Sequence, residues 1–265
     1  MKVSAVIITR NEAHNIGPCL ESVSWCEEAI IVDWASTDDT VAIARAAGAT
    51  VIQAEDWPGF GPQKNRAVQA ASGDWILSLD ADERVTPALR DEILHHLQRN
   101  PAQALALPRL SAFCGTFVRH AGWYPDYVTR VFRNGRGRFT DDLVHEHLKV
   151  DDPVTRLREP LVHYSYRTLS DVLRKIDSYS SAGAQQAYAR GKRSSVASAA
   201  GHGLWAFVRT YLLKRGFLDG SAGFGVALMN AQASYYKYAK LAQLHAAAAA
   251  ANHAAHQPAH NQRAR

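Results

Sequence analysis

Acidic and hydroxyl side chains gather at three places in the chain, each directly after a short apolar run. They are Thr9-Arg10-Asn11-Glu12, then Asp33 with Ser36-Thr37-Asp38, and last Asp80-Ala81-Asp82-Glu83. Crowding Asp80, Asp82 and Glu83 at a strand end is costly unless a cation or a hydrogen-bonding ligand compensates them. Oxygen ligands of this kind suit Mg²⁺ or Mn²⁺, which bind through one or two carboxylates and complete their shells with phosphate and water. The alternative is a solvated acidic loop leading into a helix, whose N-terminus favours acids. No G-x-G-x-x-G or G-x-x-x-x-G-K-[ST] loop follows any of the runs, so dinucleotide oxidoreductases and P-loop NTPases lose most of their support.

The elements that must position these groups are readable from the apolar pattern. Val3–Thr9, Ala29–Trp34, Thr50–Ala54 and Trp75–Leu79 are near-continuous apolar strands, as expected for a parallel sheet covered on both faces. Between them, Asp38–Ala47 starts at a capping-type Asp and ends at Gly48, while Thr86 and Pro87 open a helix over Pro87–Gln98. This alternation is that of an α/β layer fold, in which ligands collect beyond the carboxyl ends of the strands. Residues 101–165 are irregular, with Gly, Pro and Arg among aromatics, and read as loops and added strands lining a cleft. Residues 166–243 are mainly helical, with glycine breaks at Gly216, Gly220, Gly223 and Gly225. The Ala- and His-rich end, 244–265, is expected to be frayed helix passing into disorder.

Composition narrows the classes further. The 265 residues are 47% hydrophobic and 21% charged, which suits a globular chain with a real core. Three cysteines without metal-ligand spacing suggest neither a disulfide framework nor a zinc knuckle, and fit a reducing compartment. The opening MKVSAVIITRNE does not resemble a secretory signal, and no apolar run is long enough to span a bilayer. The net charge of +5 conceals an asymmetry: residues 1–100 carry eight basic against fifteen acidic side chains, and residues 156–240 carry thirteen against four. A basic back half suits phosphate, anionic lipid or nucleic acid. Nucleic acid is disfavoured because the ordered acids of the front half would repel a phosphate backbone and no recognised motif for it is present.

The three motifs taken together, ITRNE at 8–12, VDWASTDDT at 32–40 and LDADE at 79–83, resemble those of glycosyltransferase family 2 in order and separation. The block 56–87 with GWYPDY, LVHEHL, HYSY and GFLDG is similar to the bacterial lipopolysaccharide-core glucosyltransferases of that family, from residue 3 to about 240. The resemblance implies a GT-A catalytic domain over 1–165, a Rossmann-like mixed α/β sheet flanked by helices, followed by the helical region. It implies an inverting, metal-dependent transfer of a hexose, with UDP-glucose the expected nucleotide-diphosphate sugar donor and a phosphorylated, lipid-linked saccharide the acceptor. One departure stands at Trp34-Ala35, where such proteins commonly have a Ser-Gly type pair.

Residue by residue, the resemblance makes Asp33 an acceptor of hydrogen bonds from the nucleoside, with Thr9, Asn11 and Glu12 the opposite wall of its pocket. Lys64 and Arg66, at the start of a helix, would face the diphosphate. Asp80 would contact ribose or water at the metal, and Asp82 would coordinate the ion. An inverting transfer also needs a carboxylate to take the acceptor proton. Asp141, Asp142 and Glu146 are the candidates; Glu146 is preferred, with Asp142 in reserve. His145 would ligate the metal or orient the base, and His163 is a weaker candidate for the same work. Arg109, Arg119, Arg130, Arg133, Arg136 and Arg138, with Trp123, Tyr124 and Tyr127, suit a phosphorylated sugar through bidentate contacts and stacking. A sugar-nucleotide nucleotidyltransferase and a non-catalytic anionic-glycan or nucleic-acid binder are the other readings; the first usually has a glycine-rich N-terminal loop, which is missing here. Segments WAFVRTYLLKRGF (205–217) and YYKYAKL (235–241) suit helices lying on an anionic membrane, which makes the expected location the cytoplasmic face of the inner membrane.

Overall fold

The computed structural model describes residues 1–99, 104–141 and 147–255. The chain forms two compact units, residues 1–112 with 123–165, and residues 113–122 with 166–265.

In the first unit, β1 (Val3–Thr9), β2 (Glu28–Trp34), β3 (Thr50–Ala54) and β4 (Trp75–Asp80) are parallel in the order β3-β2-β1-β4. The strand runs are apolar throughout because both faces are covered. Along β1, Val3, Ala5 and Ile7 enter one core and Val6 the other, the period of two that a pleated strand imposes. Helices α1 (Ala13–Ser22) and α2 (Thr40–Ala46) supply Ile16, Cys19, Leu20 and Ala44 to the first core. Helix α3 (Phe60–Ala70) supplies Ala67 and Val68 to the second. After β5 (Glu83–Val85), helix α4 (Pro87–Arg99) adds Leu89, Ile93 and Leu97 to the first core. The Thr86 hydroxyl caps α4 by accepting the Leu89 N–H at 3.1 Å.

The sheet then turns mixed. β6 (Ala104–Phe113) and the two-residue β7 (Thr116–Phe117) are followed by β8 (Asp126–Arg133), which inserts between β4 and β6, antiparallel to both. β9 (Gly137–Phe139) and β10 (Leu148–Val150) form a separate antiparallel pair, and β11 (Val154–Arg156) runs parallel to β6. β12 (Leu161–Tyr166) follows β6 in the sheet and pairs antiparallel with β5, which sets His163 opposite Glu83. The expected α/β sheet flanked by helices is therefore present.

In the second unit, α5 (Leu169–Ala189) opens with a capping box between Thr168 and Asp171. Helix α6 (Val196–Val208) runs into a π-helical turn, Arg209–Leu213, and a 3₁₀ turn, Gly216–Asp219. Helix α7 (Gly220–Ala255) packs on both earlier helices. Leu241 meets Ala184 and Ala187 of α5, and Gly203 of α6 lies so close that an added Cβ would stand 3.1 Å from that of Tyr235. Two of the four glycines expected as breaks stand at breaks: Gly216 opens the 3₁₀ turn, and Gly220, with φ of 60°, lies at the joint between that turn and α7. Gly223 and Gly225 lie inside α7, where added Cβ atoms would meet the Gly216 carbonyl and the Phe113 ring, so their role is close packing. Helix α7 also continues past residue 243, through an alanine run of high helix propensity, into the segment expected to fray.

Candidate active site

The parallel register of β1 and β2 sets Thr9 beside Asp33. Asp33 is buried, and its carboxylate is oriented by three local donors, the Thr9 hydroxyl at 2.8 Å and the Ser36 hydroxyl at 2.5 Å on Oδ2 and the Ser36 N–H at 3.2 Å on Oδ1, which keeps a free lone pair. The two loops after these strands are sewn together in the same way. The Asn11 N–H donates to the Ser36 hydroxyl and its side-chain oxygen accepts the Thr37 N–H, both at 2.8 Å. The Glu12 N–H donates to Thr40 Oγ1 at 2.7 Å. Asp38 accepts from the Ala13 N–H, the first of α1, and from the Thr40 N–H, both at 3.1 Å. Its desolvation would raise the carboxyl, but the hydrogen bonds from Thr40 and Ala13 hold it below the usual carboxylate range. Asn11 and Ala35 turn the chain with φ of 56° and 53°. Ala35 thus makes, at some strain, the left-handed turn that glycine would make freely.

Ile8 of β1 lies beside Asp80 of β4, which brings the third motif to the same sheet edge. Lys64 Nζ is 3.0 Å from Asp80 Oδ1, and Arg130 is 2.5 Å from Asp80 Oδ2 and 2.6 Å from Glu83 Oε1. Glu83 is fully buried, accepts the Asp80 N–H at 3.0 Å and has Arg109 at 3.6 Å. Burial would push the Asp80 carboxyl up, yet Arg130 and Lys64 hold it well below its ordinary value. Burial would likewise lower the Arg130 guanidinium, and Asp80 and Glu83 reverse that and raise it. The position of Arg130 comes from a β-bulge: β6 pairs Leu105 with Val131 and Ala106 with Thr129, so the register skips Arg130. A skipped residue re-aims its side chain, here toward the two acids.

Asp82 stands apart from this network. Its carboxylate keeps about a quarter of its surface exposed and lies 3.3 Å from His163 Nε2, while Ser111 Oγ is 2.8 Å from His163 Nδ1. The β5–β12 pairing and a hydrogen bond from the Tyr164 N–H to the Asp82 carbonyl at 2.9 Å bring the histidine there. A carboxylate and an imidazole side by side are a donor set that fits a divalent cation sharing its shell with phosphate and water. Nearby, both oxygens of Asp80 face cations, Oδ1 Lys64 and Oδ2 Arg130. Among the described residues no group of three or more His, Cys, Asp or Glu side chains forms a metal cluster. A cavity of about 360 Å³ opens beside these groups, lined by Lys64, Asp80, Arg109, Tyr127, Val128, Thr129, Arg130, Phe139, His147 and Leu148.

The structure thus brings together Thr9, Asn11, Glu12 and Asp33 as one wall, and Lys64, Asp80 and Asp82 as the neighbouring edge. It does not bring Arg66 to them: Arg66 pairs with Asp56 at 2.8 Å, since residues two apart on a helix face different sides. The proposed arginine cluster also divides. Arg130 and Arg109 serve the buried acids, Arg109 also binding Asp126 at 2.6 Å, and Arg136 pairs with Asp152 at 2.8 Å. Arg133 lies over the Trp75 ring, and the Arg119 N–H donates to Asp219. The buried roles of Arg130 and Glu83, and of Ser111 behind His163, are absent from the sequence reading. Asp142, His145 and Glu146 lie outside the described residues.

The same segment is matched by a known family. The model of "Glycosyl transferase family 2" matches residues 4–155. A glycosyltransferase of Rickettsia felis is 34% identical over 257 residues, covering 91% of this chain and 89% of its own. The lipopolysaccharide core biosynthesis glycosyltransferase LpsC of Rhizobium meliloti is 31% identical over 265 residues, covering 95% and 96%. The crystal structure of S. aureus TarS is similar at 17% identity and a TM-score of 0.46, over 66% of this chain and 38% of that one. With a GT-A-like mixed sheet carrying all three motifs at one edge, the chain belongs to glycosyltransferase family 2.

Proposed function

We propose that the chain transfers a hexose, with UDP-glucose the donor, to the inner-core oligosaccharide of lipopolysaccharide, with inversion at the anomeric carbon. The observation that carries the reading is the shared sheet edge of Asp33 and Asp82, one built to receive a nucleoside and the other a charged diphosphate. Its acceptor half is supported by the likeness to LpsC along nearly the whole length of both chains.

On this reading Asp33, held in one orientation by Thr9 and Ser36, accepts hydrogen bonds from the nucleoside. Asp80, fixed by Lys64 and Arg130, faces the ribose with its carboxylate already oriented. Asp82 and His163 would hold a Mg²⁺ or Mn²⁺ ion, which when bound neutralises charge on the departing diphosphate. Ser111, at His163 Nδ1, fixes the ring so that Nε2 faces Asp82. Glu146, or Asp142 in its place, takes the proton of the acceptor hydroxyl as the new C1–O bond forms. The bond from C1 to the phosphate oxygen breaks in the same step, and its electron pair leaves with the nucleoside diphosphate. The acceptor is lipid-linked and the donor a cytoplasmic metabolite, so the reaction belongs at the cytoplasmic face of the inner membrane. No helix among the described residues is long and apolar enough to cross a membrane.

The test is incubation with labelled UDP-glucose, Mn²⁺ and lipopolysaccharide truncated in its inner core. Label in the lipid fraction, with one UDP released per sugar transferred, is the expected result. No transfer and no UDP release with any common sugar nucleotide overturns the reading. Transfer only to another lipid-linked glycan corrects the acceptor alone. Glu146→Gln should bind donor normally and lose about 10²–10⁴-fold in kcat.

A further inference from the structure

Helix α6 has two faces, and only one of them is covered within the second unit. Ala199, Gly203 and Thr210 are buried, with Gly203 against Tyr235 and Thr210 hydrogen-bonded to Asn230, both of α7. At about 100° per residue, Leu204 and Trp205 fall on the side away from those contacts. The wider π-helical turn over Arg209–Leu213 then brings Leu212 and Leu213 round to that same side. These four side chains are 68%, 57%, 54% and 65% exposed, and Phe217 and Leu218 in the following 3₁₀ turn are 46% and 55% exposed. Large apolar side chains gathered in the open on one side of a helix mark an interaction surface.

Charge identifies what covers it. Arg209, Lys214 and Arg215 are interleaved with the apolar residues, and residues 178–218 contain six basic side chains and no acid. From 178 to the end of the chain the only acid is Asp219. Its side chain is 7% exposed and is engaged by the N–H groups of Arg119 and His120 and by the His120 ring. From 178 onward the chain itself thus offers no free carboxylate side chain to neutralise the rim. A second copy docked face to face would set cations against cations, which disfavours self-association. We infer that this face, Leu204 to Leu218, seats the enzyme on an anionic lipid bilayer, with the leucines and Trp205 dipped below the headgroups and the cations among lipid phosphates. The second basic-aromatic segment, 235–241, takes no part. Lys240 is bound to Asp177, Ser180 and Ser181 of α5, and Lys237 lies over the Tyr238 ring, so that segment serves the packing of α7.

Sedimentation of the full chain with vesicles tests this. The chain should bind vesicles containing phosphatidylglycerol, fail to bind pure phosphatidylcholine, and release as salt is raised. Arg209→Gln and Arg215→Gln should each weaken binding by about fivefold. Leu204→Ser with Trp205→Ser should reduce it at least about tenfold. Because these side chains are exposed, the thermal unfolding of the variants should match wild type. UDP release measured in solution, without vesicles, should also match, which separates this inference from the reading of the active site. Failure to bind phosphatidylglycerol vesicles, equal binding to neutral ones, or unchanged binding by the Leu204/Trp205 variant overturns it. So does a dimer in light scattering that this variant abolishes, since a second copy would then own the face.

Discussion

Acids end two strands of one sheet, β2 and β4, that flank β1, and each is held by different chemistry. Asp33 is held by two hydroxyls and an N–H, all neutral, whereas Asp80 and Glu83 are held by Lys64, Arg130 and Arg109. Neutral donors orient an acid without cancelling its charge, so the Asp33 wall stays negative and suits the hydroxyl and N–H groups of a nucleoside. With Asp126 also on Arg109, three acids face three cations, so the ion network cancels its own charge and becomes a rigid support. It leaves Asp82, beside the His163 imidazole, as the acid best placed to meet a phosphate-bound cation. Acids close together in sequence therefore do separate work, according to whether hydroxyls, cations or an imidazole reach them.

The contrast predicts the sizes of several effects. Arg130→Met strips the ion network of its central cation and leaves Glu83 buried beside Arg109 alone. Urea unfolding should show a loss of about 3–5 kcal/mol, the penalty of an uncompensated buried charge. Asp33→Asn leaves the fold but loses acceptor capacity for three donors, and should cost about 1–3 kcal/mol in the same measurement. Asp80→Asn tests the pH behaviour. The folded carboxyl is held below its unfolded value of about 3.9, so its contribution to stability is present above that pH and fades as pH falls toward the folded value. The gap in stability between wild type and Asp80→Asn should thus be widest near neutrality and narrow below about pH 4. A gap that widens on acidification contradicts the network. Smallest, Thr9→Val removes one of the hydroxyls on Asp33 and should cost about 1 kcal/mol.

Much of the first wall could be seen in the sequence because it is local. β1 and β2 are apolar runs whose ends carry Thr9 and Asp33, and parallel pairing of equal runs sets those ends side by side. The ion network could not be seen, because it depends on distant register. Arg130 reaches Asp80 across fifty residues, only because β8 inserts beside β4 and a bulge against β6 turns one side chain. Read locally, it belongs with the other arginines of 109–138, and it was expected at the acceptor. His163 beside Asp82 depends likewise on the β5–β12 pairing. The divergence of Lys64 and Arg66 is a case where helical period alone separates two residues that adjacency in sequence groups together.

The central claim is that donor binds at the edge formed by the ends of β1, β2 and β4. Calorimetric titration of UDP, with Mn²⁺ present throughout, into wild type, Asp33→Asn and Arg66→Ala tests it most directly. Wild type and Arg66→Ala should bind alike, and Asp33→Asn should bind at least about tenfold more weakly, the loss of one strong hydrogen bond to a charged acceptor. Equal affinity in Asp33→Asn, or a loss confined to Arg66→Ala, would contradict the account.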